Sequence, residues 1–224
     1  MSKRIVNHPK YERGVVKESR HCSIGSTPTA QKLYTVKDFY RLVPDGQKAD
    51  LIDGVIYMAS PDSTESNDVN VFLLFLIKGY VDEKNLGYVS GSRFAYKFDE
   101  YNTPEPDVAF VRREQMHLIH KTGMIGAPDL AIEIVAEESE DRDYGVKKRL
   151  YEASGVQEYW IIDPPGVNVE FYRLVGGKYE LAPLEEGDIF RSKVLSGFWL
   201  DVNWLFTRPM PSAYAKLQEI LGDR

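Results

Sequence analysis

The chain has 224 residues, of which 43% are apolar and 28% charged, a composition typical of an ordinary globular protein. Its net charge of −6 argues against a protein that coats nucleic acid through a generally basic surface, although an enzyme with a local basic cleft stays compatible with it. The longest apolar run, 69–77, is about half the length of a membrane span, and no signal peptide is recognisable. Cys22 is the only cysteine, which excludes an intrachain disulfide and a cysteine-based metal cluster and favours a reducing cytoplasm.

Residues 1–30 carry six basic and two acidic side chains, a net charge of +4, and show neither helical nor strand periodicity. We interpret this segment as a flexible basic leader. An arm that contacts phosphate is the alternative interpretation. The rest of the chain, 31–224, is predicted to form one domain.

The first predicted elements alternate between helix and hairpin. A short helix is predicted at 36–43, and an Asp-Gly turn between apolar runs predicts a hairpin at 51–58. A helix at 68–82 is nearly apolar all round and is predicted to lie in the core, with Ser66 or Asn67 as its N-cap.

Later segments are mostly strands. A charged helix is predicted at 142–153, a late strand pairing around Val194, a further ordered segment at 199–206, and a closing helix near 211–221. Strands are predicted at 88–98, 107–111, 130–135, 159–162, 167–174 and 178–181. This order favours a mixed α/β fold, with a mixed central sheet flanked by helices and extra β-hairpins.

Two acidic residues stand beside buried strands. Glu133 lies in the centre of the apolar run 129–135, where a carboxylate is costly to bury unless a cation, a proton or hydrogen bonds compensate it. Asp107 opens the apolar run 108–111. The alternatives to a functional role are a structural Glu133 bonded to Arg93 or Tyr96, and an Asp107 that serves as a turn residue.

These acids suggest a magnesium site. Mg²⁺ prefers oxygen ligands and keeps several waters, so two carboxylates, Asp107 and Glu133, with the backbone carbonyl of Ile134, would suffice. Mn²⁺ is the expected substitute. Lys147 would stabilise negative charge on a phosphate or orient the attacking water. The alternative for Lys147 is a solvated surface salt bridge with Asp143, four residues earlier on the same helix.

The chain resembles the Uma-two family of mostly bacterial, restriction-endonuclease-like proteins over about 34–206. The motifs that carry the resemblance are Leu51-Ile52-Asp53-Gly54, Glu105-Pro106-Asp107, Ala127-Pro128-Asp129-Leu130, Glu133, Arg142-Asp143, Lys147, Tyr151, and Gly155-Val156 with Glu158 to Asp163. The resemblance implies the PD-(D/E)xK nuclease fold and a Mg²⁺-dependent endonuclease that cleaves DNA. It also implies that Asp107 and Glu133 bind the metal and that Lys147 is the catalytic lysine. An upstream acid falls on Asp50.

Some positions depart from the family pattern. Asp50 is shorter than the usual glutamate, Ser66 stands where many members have histidine, and Ala136-Glu137-Glu138 replaces a common Ser-Pro-Ser. These changes motivate an alternative: a catalytically degenerate module that binds nucleic acid or a protein. A glycosidase that uses Asp107 and Glu133 as acid and base is a third interpretation. Double-strand cleavage by one site per chain would favour a homodimer.

Overall fold

The computed structural model describes residues 32–222, so the predicted leader at 1–30 lies outside the described residues. A 3₁₀ helix occupies Arg113–Leu118, and a π-helix, Arg142–Lys147, runs directly into the third α-helix. The helices α1 to α5 are Val36–Leu42, Thr64–Lys84, Lys148–Ala153, Asn203–Phe206 and Ala213–Leu221. The strands β1 to β13 are Ala49–Ile52, Val55–Met58, Gly87–Gly91, Tyr96–Lys97, Val108–Arg112, Ile119–His120, Gly123–Ile125, Leu130–Ile134, Glu158–Asp163, Asn168–Val175, Lys178–Leu181, Ile189–Arg191 and Trp199–Asp201.

Six strands form the central sheet in the order β11-β10-β9-β8-β5-β3. β8 and β9 run parallel, and the other neighbouring pairs run antiparallel. The sheet is therefore mixed, as the sequence predicted. The pairs β1–β2 and β12–β13 and the three-stranded sheet β4-β7-β6 provide the additional β-structure.

Alternation along β8 divides its residues between the two faces of the sheet. Ile132 and Ile134 belong to the large apolar cluster beneath α2 and α5. Ala131 and Val135 belong to the cluster on the opposite face, which includes residues of the π-helix and α3. Glu133 lies between these two residues and faces the same layer, so the pleat of the strand aims its carboxylate at the π-helix.

An aromatic group fills the core between the sheet and the C-terminal hairpin. Trp160 of β9 is fully buried, and its ring lies 5.4 Å from Phe171 and 5.1 Å from Phe190 in edge-on contacts. Phe171 and Phe190 stack on each other. Aromatic rings bury more area than other core side chains, so this group joins the central sheet to the β12–β13 pair.

The β1–β2 hairpin turns through Asp53 and Gly54, whose φ angles of 49° and 73° are both left-handed. This is the geometry of the tight turn that the Asp-Gly dipeptide predicts, because glycine tolerates positive φ without a steric penalty. A bridge between Leu51 and Thr103 then holds the hairpin against the segment that leads into β5. The hairpin thereby lies next to the central sheet.

Helix α2 differs from its prediction in two respects. It begins at Thr64 rather than 68, because the Ser63 hydroxyl accepts a hydrogen bond from the Ser66 amide at 3.1 Å and forms the cap. It is also not buried all round, since Val71 and Phe75 are 59% and 43% exposed. Within the described part of the chain, α2 included, no helix is long and apolar enough to cross a bilayer.

Two predicted continuous segments are interrupted. The segment 88–98 consists of β3 and β4, separated by a turn in which Arg93 adopts a φ of 67°. The segment 199–206 consists of β13 followed at once by α4. In both cases the apolar pattern continues through a turn, which periodicity alone does not reveal.

We expect Trp160→Ala to lower the free energy of unfolding by about 3–5 kcal/mol, because it removes a fully buried ring from the centre of the aromatic group. The exposed Tyr214→Ala is the matched control and is expected to change that value by no more than about 0.5 kcal/mol. Urea denaturation of both variants measures the difference. Equal free energies of unfolding for Trp160→Ala and Tyr214→Ala would show that the aromatic group does not stabilise the core.

Candidate active site

The four predicted site residues meet at one end of the central strands. Asp50 comes from β1, Asp107 directly precedes β5, Glu133 lies on β8, and Lys147 ends the π-helix. All four residues are buried, with exposed fractions between 1% and 6%. Four separate segments of the chain thus place ionisable groups in one buried cluster.

Lys147 lies at the centre of this cluster. Its Nζ is 2.9 Å from Glu133 Oε2, 2.9 Å from Asp50 Oδ2 and 3.4 Å from Asp143 Oδ1. Burial opposes the charged form, but the surrounding carboxylates outweigh it and raise the pKa of Lys147 well above its usual value. The interpretation of Lys147 and Asp143 as a solvated surface pair is therefore wrong.

The π-helix brings Lys147 and Asp143 to the same inner side. The backbone carbonyl of Asp143 accepts a hydrogen bond from the Tyr159 hydroxyl at 2.9 Å, and the Asp143 carboxylate accepts one from Ser139. Burial raises the pKa of Asp143 against the effect of Lys147. A π-helical turn is uncommon and is frequent at functional sites, which fits its position here.

Glu133 has two partners in the cluster. The Tyr151 hydroxyl donates to Oε1 at 2.7 Å, and Lys147 contacts Oε2. Burial raises the pKa of Glu133 to about 8 although Lys147 lowers it, and the charges of Asp143 and Asp107 add to the rise. The suggested partners Arg93 and Tyr96 were wrong: they bond instead to the Gly46 carbonyl and the Ser90 hydroxyl.

Asp107 is tied to the neighbouring strand and to a second lysine. Its Oδ2 accepts a hydrogen bond from the Ile134 amide at 2.8 Å, and its own amide donates to the Ile132 carbonyl at 3.1 Å. Its Oδ1 lies 2.5 Å from Lys48 Nζ and 3.3 Å from Ser92 Oγ. Asp107 is therefore a buried member of the cluster, at the bend that precedes β5.

Asp50 differs from Glu133 although both share Lys147. Burial acts to raise the pKa of Asp50, but the charges of Lys147 and Lys48 and a 2.8 Å hydrogen bond from the Glu105 amide hold it below its usual value. These neighbours therefore favour the ionised form of Asp50 and the protonated form of Glu133. Two acids on one lysine thus have pKa values that are pushed apart, as acid–base sites require.

Two further members of the cluster, Lys48 and Glu105, are not among the site residues that the sequence predicts. Lys48 precedes Asp50 by two residues, and this period-2 spacing before an apolar strand was a usable signal that both side chains share a face. Burial lowers the pKa of Lys48, whereas the charges of Asp107 and Glu133 raise it. The net effect is a raised pKa. Glu105 accepts a hydrogen bond from the Ala49 amide at 3.2 Å, and burial raises its pKa to about 7.

The donor set of the cluster suits a hard cation. Within residues 32–222 no three His, Cys, Asp or Glu side chains are arranged to hold a metal ion, so a site here depends on two carboxylates and the backbone. The Ile132 carbonyl points at the Asp107 segment, and the alternation of a strand places the Ile134 carbonyl on the same edge.

The surroundings of the cluster are acidic. Glu137 and Glu138 are exposed directly after β8. Burial raises the pKa of Asp62, and the charges of Asp107 and Glu138 raise it further. Ser66, where a histidine was expected by resemblance, is buried and bonded to Ser63, so it does not reach the cluster through a hydrogen bond of its own.

The sequence matches the Uma2 family, described as "Putative restriction endonuclease", over residues 36–203. The chain belongs to this family. A crystal structure from Anabaena variabilis, described as "a putative nuclease belonging to DUF820", superposes on this Uma2 chain with a TM-score of 0.64 at 20% identity. The alignment covers 77% of this chain and 97% of that chain, and it confirms the restriction-endonuclease-like fold. Comparison with curated proteins finds no match.

Removal of the Lys147 ammonium group should destabilise this Uma2 protein. We expect Lys147→Met to lower the free energy of unfolding by about 3–5 kcal/mol, because it leaves buried carboxylates without their shared ammonium group. The exposed Lys178→Met is the control, with an expected loss within about 1 kcal/mol. Adding Glu133→Gln to Lys147→Met should recover part of the loss. Urea denaturation at neutral pH measures all four proteins, and a control-sized loss for Lys147→Met would contradict the assignment.

The raised pKa of Glu105 predicts a pH dependence of stability. Because the folded state binds this proton more tightly than the unfolded state, the contribution of Glu105 to the free energy of unfolding falls as pH rises from about 4.5 to about 7. We expect Glu105→Gln to flatten this slope, so the variant gains stability relative to wild type at about pH 8 but not at about pH 4. Urea denaturation at both pH values checks this, with the exposed Glu114→Gln as control. Parallel pH profiles for Glu105→Gln and wild type would contradict it.

Proposed function

We propose that this Uma2 protein is a metal-dependent endonuclease that hydrolyses phosphodiester bonds in DNA. One observation carries the proposal: the buried Lys147 ammonium lies 2.9 Å from both Glu133 and Asp50, with Asp107 fixed beside Glu133 by the Ile134 amide. Adjacent carboxylates can hold a divalent cation that activates water and polarises a phosphate, and a lysine beside them can stabilise negative charge, so this group of residues suits phosphodiester cleavage. Membership of a family described as "Putative restriction endonuclease" supports the same chemistry.

Asp107, Glu133 and the Ile134 carbonyl are the groups that would hold Mg²⁺, or Mn²⁺ in its place. A bound divalent cation supplies polarisation of the phosphate and a lower pKa for a coordinated water. The remaining roles fall to the protein's own side chains.

Lys147 is held in place by its neighbours and can stabilise the negative charge that develops on the phosphate during cleavage. Its contacts with Asp50, Glu133 and Asp143 fix its ammonium group without further ordering when substrate binds. Asp50 stays ionised and keeps Lys147 protonated. The Tyr151 hydroxyl fixes the rotation of the Glu133 carboxylate.

Lys48 is the cation best placed to meet a substrate phosphate. Its side chain is 21% exposed, in contrast to 2% for Lys147, and it contacts Asp107 from the more open side of the cluster. Arg142, 3.8 Å from Asp50 and 15% exposed, adds positive charge nearby. Together they form a local basic group on a chain whose net charge is −6.

A second candidate is a non-catalytic module that binds nucleic acid or a protein. It is favoured by the Lys48 ammonium, which already occupies one oxygen of Asp107 at 2.5 Å, and by the exposed Glu137 and Glu138. A site whose acids are satisfied by lysines does not require a metal for charge balance alone. Calorimetry that shows Mn²⁺ binding, lost in Glu133→Gln, would count against this candidate.

A glycosidase gains no support from the structure. Trp160 and Trp204 are buried, and Trp199 packs against Trp204 with ring centroids 5.3 Å apart. None of these rings therefore forms an open platform for a sugar, as such clefts usually require.

Cleavage of plasmid DNA tests the endonuclease. We expect nicking or linearisation in the presence of Mg²⁺ or Mn²⁺ that EDTA abolishes. Asp107→Asn and Glu133→Gln should each lower the rate at least about 100-fold, because each removes a carboxylate that would hold the metal ion while keeping the shape of the side chain. Glu114→Gln, an exposed acid outside the cluster, is the control and should retain wild-type activity.

Absence of cleavage by folded protein on plasmid and on genomic DNA of varied sequence would favour the binding module. Cleavage that survives in Glu133→Gln would show that the reaction takes place elsewhere. Circular dichroism and urea denaturation of each variant exclude loss of fold as the cause.

A further inference from the structure

One side of α2 forms an exposed stripe that the fold leaves uncovered. At about 100° per residue, its six members point within about 40° of one direction. Each is exposed in the structure. The stripe consists of Thr64, Asp68, Val71, Phe75, Lys78 and Asp82.

The stripe is apolar at its centre and charged toward its ends. Val71 and Phe75 are among the most exposed apolar residues of the described chain, at 59% and 43%. The spacing of the six positions alternates between four and three residues, which is the spacing of a coiled-coil seam. Such a seam on a helix surface fits the corresponding face of another helix.

We propose that two copies of this chain pair through α2 in antiparallel orientation. Centred between Val71 and Phe75, a two-fold axis sets Val71 against Phe75 of the second copy. The same register sets Asp68 against Lys78 and Thr64 against Asp82. The stripe is therefore complementary to itself in both apolar contact and charge, which is what a two-fold interface requires.

Charge selects the antiparallel orientation. A parallel pair would place Asp68 against Asp68 and Asp82 against Asp82, and like charges in contact disfavour a complex. In the antiparallel pair, Asp82 lies beside the first turn of the other α2, where the helix dipole favours negative charge. Lys78 already pairs with Asp82 of its own helix, and its three N–H donors allow it to reach Asp68 of the second copy as well.

The seam is small, so the dimer is expected to be weak. Stable complexes bury about 1,200–2,000 Å² in total, and a seam with two apolar residues per copy lies at the low end of interfaces. Dimerisation should therefore depend on concentration. It does not rest on the proposed nuclease activity.

Sedimentation equilibrium of the full chain over a concentration series tests the pairing. The mass should rise from the 25.6 kDa of one chain toward twice that value. Phe75→Glu should weaken association at least about tenfold, because it places two carboxylates at the apolar centre. Glu83→Lys, an exposed position of α2 off the stripe, is the matched control and should associate like wild type.

An exchange of the charges at positions 68 and 78 distinguishes loss of pairing from loss of fold, because a restored dimer requires folded protein. Asp68→Lys alone and Lys78→Asp alone should each weaken association, since each sets like charges against one another. The double variant D68K/K78D should restore it. A chain that stays at 25.6 kDa throughout, a dimer insensitive to Phe75→Glu, or a double variant that fails to restore association would overturn the proposal.

Discussion

The buried ammonium of Lys147 joins the parts of the molecule on which the site depends. It contacts Asp50 of the β1–β2 hairpin, Glu133 of the central sheet and Asp143 of its own π-helix. A buried cation is stable only with such partners, and the partners are stable only with the cation. The hairpin, the sheet and the π-helix are therefore held in one relative position by a shared charge.

The environments of the acids explain how one cluster can contain groups with different proton affinities. Asp50 receives a backbone hydrogen bond and the charges of two lysines, whereas Glu133 faces Asp143 and Asp107 across the same lysine. The first arrangement favours the carboxylate and the second favours the protonated acid. The difference arises from the positions of neighbours rather than from the identity of the acids.

The sequence predicted what strand alternation determines and missed what long-range packing determines. Glu133 stood out because a charged residue interrupts an apolar strand, and the Asp53-Gly54 turn has a local signature. The burial of Lys147 was not predicted, since the π-helix that turns it inward has no sequence signature comparable to a cap or a turn. The contact of Lys48 with Asp107 joins residues 59 positions apart, and local patterns contain no information about such pairs. Helix α2 begins earlier than predicted because Ser63 caps it, whereas the sequence offered Ser66 and Asn67 as equally suitable caps.

The residues of the cluster are far apart in sequence, and this separation affects when the cluster forms during folding. Lys48 contacts Asp107, and Asp50 accepts a hydrogen bond from the Glu105 amide 55 residues later in the chain. Contacts of such sequence separation form late and slowly during folding, because a long loop has to close first. A nascent chain that ends before the π-helix lacks the central cation entirely. Whatever chemistry the cluster performs is thus confined to the completed fold, and incomplete or degraded chains cannot assemble it.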